Sequence, residues 1–271
     1  MLFNFDDNRS RGGRITEDSF AFAGRYLFAS DEDGNWELAL LDSGTLTWLT
    51  LPGDVDLCLV GAGQDGGAGY FSGGGSGNWD YNDSFVNSGK GGDSGGVLTR
   101  RGISLKGGCQ VTVGTEGGDT ELANGAQFFS SADGTIRPGG SGATMRQAHN
   151  SSGTVNRGGA DGVWPYESDQ DETLIQELRG HRVAASGGAG HANNNYGGGV
   201  YTDVHGGSNT GGSTDGADGG TRDHHAGFDA TGYGNGGGGG YGDGSGHNNG
   251  SGGNGSQGIA MIRRHKEVSI T

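Results

Sequence analysis

The chain has 271 residues, of which 65 are glycine, and it carries a formal net charge of −15 with a pI near 4.7. Nucleic acids and anionic membranes bind to basic protein surfaces, which an acidic chain lacks, so we expect neither partner. Collagen is excluded as well, because the glycines are irregularly spaced and only 3 prolines are present.

The chain begins with a polar lead-in, residues 1–19, which lacks the basic and apolar regions of a signal peptide. A meander of strands follows, predicted at 25–29, 36–41, 45–51 and 55–60 and separated by turns rich in Asp, Gly and Pro. Residues 45–51 alternate polar and apolar side chains, which is typical of a half-buried strand.

Shorter strands are predicted further along the chain, at 97–99, 103–105, 109–113, 126–129 and 259–263. Residues 169–179 are compatible with a helix that Ser168 caps and Gly180 ends, or with a strand. No apolar run approaches the roughly 20 residues of a transmembrane helix, so we expect no membrane insertion.

Glycine dominates from Gly61 to Gly258. Extended helices of the polyproline II type have three residues per turn and no internal hydrogen bonds. Without side chains they can pack until each backbone N–H reaches a neighbour's carbonyl, which needs no hydrophobic core. We expect such packing around residues 187–190, 197–199, 206–220 and 232–255.

These observations predict an all-β fold. Residues 20–135 and 258–265 would form a jelly-roll-like β-sandwich, and residues 136–257 a glycine-rich insertion of packed polyproline II-type helices and loops. Cys58 and Cys109 both lie in apolar runs, so they are either two buried strand thiols or one cross-strand disulfide.

Three motifs suggest catalysis or ligand binding, but their sequence context argues against both. Residues 92–96 read GDSGG, as around the nucleophile of trypsin-like proteases, but every histidine follows Ser94, whereas those enzymes place His and Asp before Ser. The GxGxxG pattern at 61–66 is not followed by a helical pattern. His224 and His225 lack metal-ligand spacing. We therefore expect no enzymatic activity, cofactor or transition metal, and Ca²⁺ at an Asp-rich loop stays open.

Several motifs follow one another in a recognisable order, at residues 33–38, 42–47, 57–63, 89–92, 97–105, 111–114, 139–142 and 258–263. Their layout resembles glycine-rich tail proteins from phages and prophages of gut bacteria. The layout is also similar to the glycine-rich domain of certain receptor tyrosine kinase ectodomains, where a β-sandwich carries packed glycine helices.

The resemblance spans about residues 24–264 and implies a virion protein, assembled in the host cytoplasm and placed where the particle meets its host. Its partners would be other virion tail proteins and a bacterial cell-surface receptor. A homotrimer is common among fibres, although no coiled-coil heptad supports one here.

Aromatic residues that sit singly among Gly and Asn suit sugars, because ring faces stack on C–H groups while amides and carboxylates bind hydroxyls. The candidate contact residues are Trp79, Tyr81, Trp164, Tyr166, Tyr196, Tyr201, Phe228, Tyr233 and Tyr241. Alternatively, these rings cap the ends of the glycine helices. The sequence thus predicts a tail-tip or fibre adhesin, with a purely structural virion protein (adaptor, head fibre or decoration) as the alternative.

Overall fold

A computed structural model describes residues 14–72, 85–139, 144–146, 159–167, 173–190, 192–193, 199–200, 216–221, 223–243 and 249–265. Its strands are β1 (Phe20–Phe22), β2 (Tyr26–Ser30), β3 (Trp36–Leu40), β4 (Gly44–Trp48), β5 (Asp54–Val60), β6 (Tyr70–Ser72), β7 (Phe85–Asn87), β8 (Val97–Ser104), β9 (Gly108–Thr112), β10 (Glu121–Asn124), β11 (Gln127–Ser130), β12 (Thr144–Arg146), β13 (Ala192–Asn193), β14 (Gly199–Val200), β15 (Gly242–Asp243) and β16 (Ile259–Arg264). Short 3-10 turns lie at Glu17–Ser19, Ser131–Asp133, Pro165–Glu167 and Gln176–Leu178.

Two five-stranded antiparallel sheets make up most of this all-β structure, which confirms the predicted class. The first sheet has the order β1-β4-β9-β10-β11 and the second β2-β3-β16-β5-β8. Two smaller sheets have the strand orders β12-β7-β6 and β14-β13-β15. The closing strand β16 pairs with both β3 and β5, so the end of the chain returns to the centre of the second sheet.

The two large sheets share one hydrophobic core, as in a β-sandwich. The first sheet contributes Leu46, Val111 and Leu122, and the second contributes side chains at alternate positions, such as Leu57 and Leu59. The alternation follows from the two-residue period of a strand, which points successive side chains to opposite faces.

The outer face of the second sheet is covered too. Cys58 and Val60 of β5 point away from the sandwich core and pack with Tyr166, Ile175 and Leu178. Burial on both faces explains why residues 55–60 form an almost continuous apolar run. Residues 163–167 and 173–183 supply this cover and together are called the cover segment.

The cover segment differs from the sequence expectation. Within its described part, residues 173–175 are irregular and a single 3-10 turn follows at Gln176–Leu178, whereas a helix or strand was expected over 169–179. Tertiary contact accounts for the difference, because the Glu37 carboxylate accepts hydrogen bonds from the N–H groups of Leu174 (2.6 Å) and Ile175 (3.4 Å).

Most other strand predictions are confirmed to within a residue or two, with two corrections. The strand predicted at 45–51 is shorter, because β4 ends at Trp48. Residues 97–99 and 103–105 were predicted as separate strands, but β8 is continuous from Val97 to Ser104. Its pairing with β5 is irregular between Val55 and Leu57, opposite the turn-like Arg100-Arg101-Gly102. Gly102 there has φ +62°, and a bulge of this kind bends a strand without ending it.

Three adjacent strands of the second sheet continue directly into glycine-rich chain. Val60 ends β5 and is paired with both Val97 of β8 and Ile259 of β16. Beyond this point hydrogen bonds recur at every third residue. The N–H groups of Gly61, Gln64 and Gly67 donate to Gly96, Asp93 and Lys90, and those of Gly63, Gly66 and Gly69 donate to Ser256, Gly253 and Gly250. The alignment of the three strands is therefore kept in the segments that adjoin them, while the hydrogen-bond repeat changes from every second to every third residue.

Within the described part of the chain, residues 234–241 form a central segment with six neighbours. Its N–H groups donate to backbone carbonyls in three neighbouring segments: residues 185 and 188 in the first, 64 and 67 in the second, and 225 and 228 in the third. Its carbonyls accept from residues 89–95, 217–220 and 250–256. The neighbours are the outer segments 61–69, 89–96, 184–190, 216–220, 225–230 and 250–258, and each also bonds to the next around the ring. The seven segments together are called the glycine region.

Only glycine fits at residues 236–240 of the central segment. A Cβ added at Gly236 or Gly239 would collide with backbone of segment 89–96, and one at Gly237 or Gly240 with backbone of segment 250–258. At Gly238 it would collide with the carbonyl of Asp218 in a third segment. Residues 61–69 and 89–96 belong to this packing, although the sequence boundaries assign them to the sandwich.

Candidate functional site

A small open groove lies where the cover segment meets the start of the central segment. Its volume is about 170 Å³, and its lining residues are Pro165, Glu177, Leu178, His181, Arg182, Val183, Thr231, Gly232 and Tyr233. Pro165, Leu178 and Val183 are buried and form an apolar floor, while Glu177, His181 and Thr231 are exposed at the rim. The groove therefore combines an apolar surface with hydrogen-bonding groups, as small-molecule sites do.

Tyr233 is the aromatic wall of the groove, and its position is fixed by the backbone. Its carbonyl accepts a hydrogen bond from the Ala184 N–H at 3.0 Å, and the ring is half-buried against the cluster around Val183. Burial raises the pKa of the Tyr233 hydroxyl; Arg25 opposes this shift, and the Glu177 carboxylate adds to it. The hydroxyl is therefore protonated at neutral pH and can donate a hydrogen bond.

Trp164 lies beside the groove and orients one of its cations. The guanidinium of Arg182 lies 5.0 Å from the centre of the Trp164 ring, and its Nη1 is 3.9 Å from the Asp161 carboxylate. Stacking on an aromatic ring and a nearby acid restrict an arginine's rotamers. Of the predicted contact residues, Trp164 and Tyr233 are thus brought together here through Arg182.

Two other predicted contact residues have buried rings. Tyr166 is 2% exposed, its ring lies under the Arg263 guanidinium at 4.2 Å, and its carbonyl accepts from Arg101 at 2.9 Å. Tyr241 is 3% exposed and its ring stacks on that of His225. Both rings pack inside the protein, so we leave them out of the binding surface proposed below.

Phe228 is apart from the groove, on outer segment 225–230. It is 44% exposed and its ring meets that of His224 edge-on, with centroids 4.3 Å apart. It is therefore an accessible aromatic surface of its own. The remaining predicted contact residues, Trp79, Tyr81, Tyr196 and Tyr201, lie outside the described residues.

Ser94 of the protease-like pentapeptide has a structural role. It is 3% exposed, and its Oγ donates to the Gly95 carbonyl at 3.1 Å and accepts from the Arg137 N–H at 2.8 Å. The hydroxyl thus joins outer segment 89–96 to the chain at residue 137. The GxGxxG pattern at 61–66 similarly belongs to glycine packing, since Gly63 and Gly66 lie against the backbone of the central segment.

The two cysteines are buried thiols that form no disulfide. Cys58 packs under the cover segment, whereas Cys109 lies in the core between the sheets. Of the two alternatives left open by the sequence, separate buried thiols are confirmed. Among the described side chains, no group of three or more His, Cys, Asp or Glu is arranged to hold a metal ion.

Comparisons with protein-family models, with curated proteins and with solved structures find no match to this chain. In the part of the chain that the structure describes, no helix is long and apolar enough to cross a membrane.

Proposed function

We propose that this chain is a non-enzymatic phage virion protein, a tail-tip or fibre adhesin that recognises a glycan or protein on a bacterial surface. The observation that carries the proposal is the glycine region, in which backbone hydrogen bonds join seven segments that extend from one end of a β-sandwich. Such a scaffold is held by main-chain groups, so the connections between its segments are free to vary. Binding residues are commonly carried by such connections on a rigid frame.

We further propose that the seven segments are polyproline II-type helices. Three residues per turn would account for hydrogen bonds at every third residue. It would also account for the glycine contacts, because Gly236 and Gly239 face one neighbour while Gly237 and Gly240 face another. The jelly-roll-like strand arrangement stays a prediction.

A purely structural virion protein is the second candidate, and one surface favours it. Leu49 and Leu51 are 66% and 60% exposed. They lie at the end of the sandwich opposite the glycine region, near Ser19 and Asp54. Neighbouring exposed leucines suit a contact with another protein. In an adhesin, the same surface would attach the chain to other virion tail proteins.

Immunogold electron microscopy of phage particles, combined with flow cytometry of the labelled chain on gut bacteria, tests the proposal. An adhesin should label the distal end of the tail, and the purified chain should bind the cells to which the particles adsorb. Label on the capsid or along the tail, without cell binding, would establish the structural alternative. Absence of label from every particle would refute both roles.

A further inference from the structure

We propose that the groove between the cover segment and residues 231–233 is a subsite for a single neutral hexopyranose. This inference rests on the proposed function, since it names the ligand class that an adhesin of this kind would take.

The volume limits the ligand to one small ring. Pockets for drug-sized ligands begin at about 300 Å³, whereas this groove measures about 170 Å³ and is open to solvent on one side. A single terminal sugar can enter such a groove while the rest of a glycan stays outside. A longer oligosaccharide or a folded peptide segment would not fit within it.

The floor and wall match the apolar face of a pyranose. Leu178 and Val183 are 7% and 3% exposed and offer only hydrocarbon to the groove. The half-buried ring of Tyr233 supplies an aromatic surface, and Glu177 and His181 at the rim supply hydrogen-bonding groups. A sugar ring has C–H groups on one face and hydroxyls around its edge, so one ligand satisfies both kinds of surface.

The rim carries charges of both signs, which favours a neutral polyol. Glu177 offers carboxylate acceptors, while Arg182 and His181 offer donors. An anionic ligand would meet the Glu177 carboxylate in a chain whose net charge is −15, and a cationic one would meet Arg182. Hydroxyl groups both donate and accept hydrogen bonds, so they pair with either kind of side chain without a charge penalty.

Saturation-transfer NMR with the full chain tests this inference, using methyl glycosides of galactose, glucose and mannose beside glucuronate. At ordinary ligand efficiency, one sugar should bind with a dissociation constant on the order of 1 mM. We expect at least one neutral glycoside to give a signal and glucuronate to give none. Tyr233→Ala and Glu177→Gln should each weaken binding roughly tenfold, since each removes a wall or rim contact.

Matched controls separate the groove from general effects. Phe128→Ala removes another exposed aromatic ring, and Glu32→Gln another exposed carboxylate, and both lie outside the groove. These controls should bind sugar like the parent chain. Unchanged tryptophan fluorescence would verify that each variant folds. Tyr233→Phe, which keeps the ring, should retain more binding than Tyr233→Ala.

Three results would overturn the inference: no signal from any neutral glycoside, equal binding of glucuronate, or groove variants that bind like their controls. Cell binding, measured in parallel, distinguishes this failure from failure of the proposed function. Cells bound equally by the parent chain and the groove variants would leave the adhesin role standing without this subsite. Sugar bound at the groove by a chain that binds no cells would leave the subsite standing without the adhesin role.

Discussion

Gly238→Ala tests whether the glycine region is held by close backbone packing. The methyl group would collide with the Asp218 carbonyl and would lie only 3.0 Å from the Phe228 nitrogen. Relief requires the neighbouring segments to separate. That movement strains three hydrogen bonds, from Gly238 to Phe228, from Phe228 to Asp218 and from Gly253 to Gly238, with lengths of 3.0, 3.0 and 2.8 Å.

The expected loss of unfolding free energy follows from these contacts. Overpacking a dense interior costs about 1–3 kcal/mol, and each buried backbone group left without a partner costs about 1–3 kcal/mol. Alanine recovers about 0.4–1 kcal/mol by restricting the unfolded chain. We therefore expect Gly238→Ala to lower the free energy of unfolding by roughly 2–5 kcal/mol.

Urea unfolding followed by tryptophan fluorescence measures this loss, and hydrogen exchange at residues 234–241 locates it. Gly108→Ala is the matched control, because a Cβ there meets nothing within 4 Å and the residue has no positive φ. The control should change stability by no more than about 0.5 kcal/mol. If the Gly238→Ala and Gly108→Ala variants have the same urea midpoint and the same hydrogen-exchange protection at residues 234–241, close backbone packing in the glycine region is refuted.

Three further predictions concern individual side chains. The Asn235 side chain is fully buried; its Oδ1 accepts from the Ala185 N–H and its Nδ2 donates to the Thr231 carbonyl. Asn235→Ala should therefore lower the free energy of unfolding in urea by about 1–3 kcal/mol, whereas Asn254→Ala, at an exposed position, should lower it by under about 0.5 kcal/mol; equal effects would contradict these two side-chain bonds. Burial acts to raise the pKa of Asp93, but hydrogen bonds from Gly139 and Lys90 outweigh it and lower the pKa. Its stabilisation is therefore present above the unfolded pKa of about 3.9 and is lost as the pH falls through the lower folded value. The free energy of unfolding of Asp93→Asn, measured in urea, should lack that part of the pH dependence between about pH 2 and 5. A pH profile equal to that of the parent chain would contradict the stabilising role of the Asp93 carboxylate. Cys58 and Cys109 are buried, and burial raises the pKa of the Cys109 thiol, so both should react with maleimide only on unfolding; labelling of the native chain at the rate of a free thiol would contradict this.

The sequence predicted the strands well where their side chains report a two-residue period. Residues 36–41, 45–51 and 55–60 have such patterns or continuous apolar runs, and strands occur at all three places. It missed the short strands β1, β6, β7, β10 and β12–β15, which have two to four residues each and depend on pairing partners elsewhere in the chain. The existence of the longer strands is therefore local information, whereas the short strands and the continuity of β8 depend on pairing.

The candidate site was only partly predictable. Trp164 and Tyr233 stand out as aromatic residues among polar neighbours, and both lie at or beside the groove. Leu178, His181 and Arg182 carry no such signal, because their role depends on residues about 50 positions away in the chain. Local sequence likewise could not distinguish the buried ring of Tyr166 from an exposed one.

Composition by itself determined that this chain is acidic, β-rich in its apolar parts and unable to fill a large core in its glycine-rich parts. Only the tertiary structure decided which glycine segments meet. Glycine has no side chain with which to specify a partner, so the register of outer segments 61–69, 89–96 and 250–258 comes from the strands that precede or follow them. It is set at Val60, where the paired strands β5, β8 and β16 pass their alignment to the outer segments.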